Sequence, residues 1–156
     1  MQIINNIRLL KHSIKVAVLS CALAYKLKMS INQCKNLFIA GLFHDIGKIK
    51  LDQSILNKKE NLTSEEFEHI KQHVVLGVEL LRKYKIPERI IVIIEQHHER
   101  EDGTGYPNGL EKSEICIEAK ILRSADVFDA LTSNRAYRRK YTKRQAKEIM
   151  RKEELI

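Results

Sequence analysis

Residues 63–84 read TSEEFEHIKQHVVLGVELLRKY, and this stretch decides the fold class. Phe67, Ile70, Val74, Val78 and Leu81 recur at the three- and four-residue intervals of a helix face. Thr63 and Glu66 have the spacing of a capping box, in which the hydroxyl accepts from a free backbone N–H and the carboxylate bonds back. Ser30 with Gln33 and Thr142 with Gln145 repeat the pattern, and Pro87 suits the first turn of a further helix. Working outward from residues 63–84, the spacing predicts helices over about 3–28, 31–45, 64–84, 87–98, 114–132 and 142–154. No stretch sustains the period-two alternation of a strand, so the expected class is all-α. Residues 102–109, DGTGYPNG, concentrate turn formers and read as a loop.

The chain has 156 residues, which suits one domain with one core, expected over 1–156. The longest aliphatic run, Ile90 to Ile94, is far too short for a bilayer, and the N-terminus lacks the order of a signal peptide. A cytoplasmic protein with no membrane insertion is expected. Cys21, Cys34 and Cys116 are scattered and never form a CxxC pair, which argues against a disulfide framework and a thiolate zinc site. The net charge of +8 suits an anionic partner, and much of it lies between Arg135 and Arg151. Few aromatics interleave with that basic run and no recognition motif is present, so no nucleic-acid polymer is expected as partner.

Chemistry enters with six histidines, His12, His44, His69, His73, His97 and His98. His97 aligns with Ile90, Ile93 and Ile94, and His98 with Ile91 and Ile94. Adjacent residues share an interior only at the edge of an apolar face or at a fraying helix end, and the glycine-rich loop follows directly. His73 lies one turn from Ile70 and Gly77. His44 and Asp45 end the apolar stretch Leu37 to Phe43, and Asp126 sits among Ala125, Val127, Phe128 and Ala130. Burying such groups unpaired is costly, and a divalent ion resolves the cost. Imidazole and carboxylate suit iron, manganese, zinc or nickel, and a site without thiolate leans toward catalysis. His69, beside Glu65, Glu66 and Glu68, reads as a surface residue. Asp129, one turn beyond Asp126, has two open readings, a carboxylate that orients a histidine or an ordinary hydrogen-bonded helix residue.

Taken together, His44-Asp45-Ile46-Gly47-Lys48, His73, His97-His98-Glu99-Arg100, Asp102-Gly103-Thr104-Gly105-Tyr106-Pro107, Ala125-Asp126-Val127-Phe128-Asp129-Ala130-Leu131-Thr132 and Arg135-Ala136-Tyr137-Arg138 resemble the HD superfamily of metal phosphohydrolases, and specifically the HD-GYP family. The resemblance runs from about His12 to Tyr141. It implies an HD-domain helical bundle with a metal site in its core. The implied metal ligands are His12, His44, Asp45, His73, His97, His98 and Asp126, with Asp45 bridging two divalent ions, iron or manganese. It implies Lys48 beside the cluster as a catalytic cation holding phosphate, and Arg135 and Arg138 on the ligand's phosphates. Tyr106 would border the site, its loop also meeting diguanylate cyclase (GGDEF) proteins. The implied activity is hydrolysis of cyclic di-GMP to pGpG or GMP.

Two departures stand out. Arg8 occupies the position where some members carry a glutamate that supports a third metal, so two ions are expected. The family usually continues with further helices beyond the segment that ends here at Ile156, and it usually carries an N-terminal receiver or sensor domain. The expected alternatives are a cyclic di-GMP sensor or adaptor that docks a cyclase without turnover, and a hydrolase of another phosphoester.

Overall fold

The computed structural model describes residues 2–58, 60–133 and 140–152. Helix α1 (Gln2–Lys26) is followed by α2 (Ile31–Phe43), a 3-10 helix (Ile46–Lys50), α3 (Gln53–Leu56), α4 (Ser64–Lys71), α5 (His73–Lys83), α6 (Glu88–Glu95), α7 (Ile117–Thr132) and α8 (Lys143–Lys152). There is no strand among the described residues, only one isolated bridge between Asp102 and Glu111, so the all-α expectation holds.

Helix α2 lies against α1, α6 and α7, and α5 packs on α6 and on the 3-10 helix. The core at their centre contains Val16, Leu37, Ala40, Val78, Leu81, Ile91, Ile94 and Leu122. Each fully buried large aliphatic side chain contributes about 1.5–3 kcal/mol relative to exposure. A smaller cluster of Leu131, Ala146 and Met150 seats α8 on the end of α7. The α1–α2 crossing is unusually close. A Cβ on Gly41 would lie 2.5 Å from the Ala17 Cα, so only glycine permits the approach. That approach carries His12 on α1 toward His44 at the end of α2.

All three capping boxes form. Ser30 and Gln33 cap α2, Thr63 and Glu66 cap α4, and Thr142 and Gln145 exchange the same pair of bonds before α8. Pro87 stands at the N-cap of α6, one position before the first turn. Lys28 (φ 57) and Lys85 (φ 56) take the left-handed conformation just past α1 and α5, where a helix reverses.

Three boundaries differ from expectation. The helix expected over 64–84 is two helices meeting at Gln72, that expected over 87–98 ends at Glu95, and that expected from 114 starts at Ile117. The 3-10 helix and α3 carried no sequence signal. Phe67, read as part of a core stripe, is 46% exposed, and the break in the helix at Gln72 lies between it and the buried Val74 and Val78. Among the described residues no helix is long and apolar enough to cross a membrane.

Candidate metal centre

One local device recurs at the helix ends. The ring Nδ1–H of His44 donates to the Gly41 carbonyl at 2.9 Å, that of His73 to Ile70 at 2.8 Å and that of His97 to Ile94 at 2.5 Å. Each imidazole thus takes the carbonyl three residues back, which the regular helix ladder would otherwise use. This explains why α2 ends at Phe43, why α4 and α5 part at Gln72, and why α6 stops before His97.

The same bonds fix the tautomer. With the proton on Nδ1, each Nε2 presents a lone pair. His44 Nε2, His73 Nε2 and His97 Nε2 are all buried with no hydrogen-bond partner. They also face carboxylates. His44 Nε2 is 3.5 Å from Asp45 Oδ2, and His73 Nε2 is 3.5 Å from Asp45 Oδ1. Lone pairs pointing at carboxylate oxygens in a buried space repel unless a cation lies among them. The donor set therefore fits a metal.

Two groups of ligand atoms result. Those of Asp45, His73, His97 and His98 lie within 4.8 Å of one another, and so do those of His12, His44 and Asp126. Asp45 belongs to the first group, yet its Oδ2 lies 3.5 Å from His44 Nε2 and 3.7 Å from His12 Nε2 in the second. The rings interlock edge to face, with centroids 5.3 Å apart for His12–His44 and His44–His97 and 5.1 Å for His73–His98. The structure thus gathers all seven residues expected as ligands. His69 belongs to neither group, and instead accepts a hydrogen bond from the Asp52 backbone N–H at 3.2 Å.

His12 differs from the buried three. Its Nε2 is 3.1 Å from Asp126 Oδ1, and its Nδ1 donates to Asp129 Oδ2 at 2.7 Å. The Asp129 carboxylate makes the contact with the His12 ring that the orienting reading requires. Asp129 is itself held by the Ser133 hydroxyl at 2.9 Å and the Lys15 ammonium at 3.4 Å. Such outer carboxylates fix ring orientation and strengthen the imidazole as a ligand.

The electrostatics follow burial and neighbours. Burial, reinforced by nearby imidazoles, pushes His97 well down, and burial pushes His98 down to about 3, so both are neutral at pH 7. Burial alone would lower His12, but its bonds to Asp126 and Asp129 and the Asp126 and Asp45 charges raise it to about 9. Burial alone would raise Asp45 and Asp126. For Asp45 the Lys48 ammonium outweighs it, and for Asp126 the bond from His12 does, so both stay below the ordinary carboxylate range.

Around the cluster, the Lys48 ammonium lies 2.6 Å from Asp45 Oδ2 and is partly exposed. Tyr106 stacks on His98 with centroids 4.7 Å apart and planes 26° from parallel. Burial, with the Asp45 and Asp126 charges, pushes its phenol above the usual range, which keeps it an O–H donor. Arg135 and Arg138, and the side chain of Arg8, lie outside the described residues. The sequence reading gave Glu99 no role, although it is buried and organises the loop. Its Oε1 accepts from the Asn108 N–H at 2.6 Å and its Oε2 from the Leu110 N–H at 2.9 Å. The available signal was a carboxylate between a histidine pair and a turn-rich loop that needs acceptors.

Comparison with known proteins gives the family. The family model for the HD domain matches residues 1–155. A cyclic di-GMP phosphodiesterase of Pseudomonas aeruginosa is 38% identical over 136 residues, covering 86% of this chain and 33% of its own. A 3'3'-cGAMP-specific phosphodiesterase of Vibrio cholerae is 37% identical over 143 residues, covering 92% of this chain and 33% of its own. The chain thus spans about a third of the length of these relatives. A solved HDG"Y"P protein from Bdellovibrio bacteriovorus superposes with a TM-score of 0.75 at 27% identity, covering 92% of this chain and 46% of that one. With the paired His44-Asp45, the converging histidines and the loop at Tyr106 already in place, the match over nearly the whole sequence means that this chain belongs to the HD domain family, in its HD-GYP branch.

Proposed function

We propose that the chain is a metal-dependent phosphodiesterase that hydrolyses cyclic di-GMP. One observation carries the reading: three buried Nε2 lone pairs without partners converge on two carboxylates beside an accessible lysine. The ligands would be His12, His44, Asp45, His73, His97, His98 and Asp126, in two sets that Asp45 serves with its two oxygens. Two divalent ions suit the two sets, and iron or manganese suits the mix of imidazole and carboxylate. When bound, such ions supply Lewis acidity at a phosphoryl oxygen and acidify water near neutral pH.

The chain's own side chains do the rest. The backbone carbonyls of Gly41, Ile70 and Ile94 hold three rings in the ligating tautomer before any ion arrives, and the Asp129 carboxylate orients the fourth, His12, which would give up its Nε2 proton on binding an ion. Preorganisation of this kind removes reorganisation cost from the reaction. Lys48 is placed to neutralise charge on phosphate oxygens, and the protonated Tyr106 to donate to one. Arg135 and Arg138 extend the same phosphate reading by family position. The loop held by Glu99 exposes Asp102, Thr104 and Asn108, which supports it as a docking point for GGDEF diguanylate cyclases. Residues 1–156 act as one domain in this reading. Three free cysteines accord with the reducing conditions of the cytoplasm.

The test is turnover of cyclic di-GMP by iron- or manganese-loaded protein, with products resolved by chromatography. Loss of turnover with loss of metal in Asp45→Ala supports the reading, and full turnover in metal-depleted Asp45→Ala contradicts it. The Vibrio cholerae relative favours a second substrate, so 3'3'-cGAMP belongs in the same assay.

A further inference from the structure

Helix α4 brings an aromatic ring and a cation to the rim of the metal centre. Phe67 is 46% exposed, and its ring meets that of Tyr106 edge to face, 6.5 Å between centroids and 83° between planes. Tyr106 in turn stacks on His98. The Lys71 ammonium lies 5.1 Å from the Phe67 centroid and 5.5 Å from that of Tyr106, and the Glu68 carboxylate holds it at 2.7 Å. A row of rings therefore runs from His98 over Tyr106 to Phe67, with the Lys71 ammonium over the faces of both Tyr106 and Phe67.

Nothing in the folding of α4 asks for this arrangement. The helix is capped by Thr63 and Glu66 and has no buried residue of its own, so a polar side chain at position 67 would serve the helix as well. A half-open phenyl ring beside a phosphate-handling site has an evident use. Every nucleobase presents a π-face that stacks on aromatic side chains. The cation adds discrimination. Guanine carries two acceptors, O6 and N7, on one edge, where an ammonium is a good donor, whereas adenine places an amino donor beside its N7.

We propose that Phe67 and Lys71 form, with Tyr106, a guanine-binding ledge beside the metal centre. The base takes the Phe67 face that the Lys71 ammonium covers in the free protein, and Lys71 swings to the base edge and donates to its O6 and N7. This deepens the functional reading above and rests on it for the substrate class, a guanine-containing cyclic dinucleotide.

The protein contains no tryptophan, so Phe67→Trp places a unique fluorophore on the ledge. Metal-replete F67W is titrated with GMP, AMP and ribose 5-phosphate, and the midpoint of indole quenching is read. The GMP midpoint should lie about tenfold below that of AMP, ribose 5-phosphate should not quench, and adding Lys71→Gln should bring the two nucleotides together. Coinciding GMP and AMP midpoints in F67W, or equal quenching by ribose 5-phosphate, would overturn the ledge. Steady-state kinetics give a second arm. Phe67→Leu should raise KM for cyclic di-GMP about tenfold with kcat unchanged, and Phe67→Tyr should restore it. An unchanged KM in Phe67→Leu overturns the ledge while leaving the hydrolase reading intact. Separated GMP and AMP midpoints without turnover by the wild type support the ledge and remove the hydrolase reading.

Discussion

Gly47, in the middle of the His44–Lys48 motif, is where the fold and the metal centre are most tightly coupled. The 3-10 helix crosses α5 here with backbone against backbone. A methyl group at position 47 would lie 1.9 Å from the His73 carbonyl oxygen and 2.6 Å from the Gly77 nitrogen, where ordinary contact begins at 3.4 Å. The segment carrying Asp45 would have to retreat about 1.5 Å from the helix carrying His73. Overpacking costs about 1–3 kcal/mol when side chains can yield. Here both neighbours are backbone, so Gly47→Ala should cost about 3 kcal/mol and lower Tm by roughly 6–12 °C. It should also weaken metal binding, because Asp45 and His73 would move apart. Gly77→Ala enters the same crossing from the other side and is the control. Its methyl would meet the Gly47 nitrogen at 3.3 Å and the Ile46 Cγ2 at 3.5 Å. Replacing a glycine inside a helix gains up to about 1 kcal/mol, so Gly77→Ala should be neutral within about that amount. The assay is guanidinium unfolding of metal-free protein, followed by metal titration of each variant. A Gly47→Ala protein within about 0.5 kcal/mol of wild type, or a Gly77→Ala protein as damaged as Gly47→Ala, would refute the reasoning.

Three further outcomes are expected. Glu99→Ala strands two loop N–H groups and should cost about 3 kcal/mol, with faster amide exchange at Asn108 and Leu110 seen by NMR; unchanged exchange there would count against the clamp. Asp129→Ala removes the acceptor that orients His12 and should weaken metal binding about 10- to 100-fold in a chelator competition. The third concerns pH and a buried carboxylate remote from the centre, paired with a half-exposed arginine. Burial alone would raise the Glu118 carboxyl, but bonds from the Arg89 guanidinium at 2.6 Å and the Gln33 amide at 3.2 Å bring it below its ordinary 4.5. A depressed folded-state value means stability that is present above 4.5 and lost as pH falls toward the folded-state value. Denaturant titrations from pH 6 to pH 3 should therefore show a steeper loss for wild type than for Glu118→Gln, and parallel curves would contradict the assignment.

The long helices were legible because their apolar spacing and capping boxes are local signals. Residues 31–43 carry both kinds of signal, whereas 117–132 have no capping box and rest on apolar spacing alone. The break at Gln72 was not legible, since it depends on His73 turning its ring back onto the Ile70 carbonyl, a choice made by the tertiary site and not by propensity. The same holds for the early end of α6, where His97 takes the Ile94 carbonyl. The gathering of His44, Asp45, His73, His97, His98 and Asp126 was readable because imidazoles and aspartates at core-facing helix ends need an explanation, whereas His12 entered only through the family resemblance. Their division into two groups was not, because it depends on how closely α1 and α2 cross at Gly41 and Ala17. Phe67 was misplaced for a related reason. A helical stripe carried across residues 67–81 assumes one unbroken helix, and the break at Gln72 parts the first of its residues from the buried ones.

The most direct test of the central claim is elemental analysis of anaerobically purified protein, with cyclic di-GMP turnover measured on the same sample. The account predicts about two transition-metal ions per chain, consistent with the paired ligand groups, together with hydrolysis that a chelator abolishes and iron or manganese restores. Protein that takes up no metal under any loading condition, or that hydrolyses cyclic di-GMP equally well without it, would contradict the account.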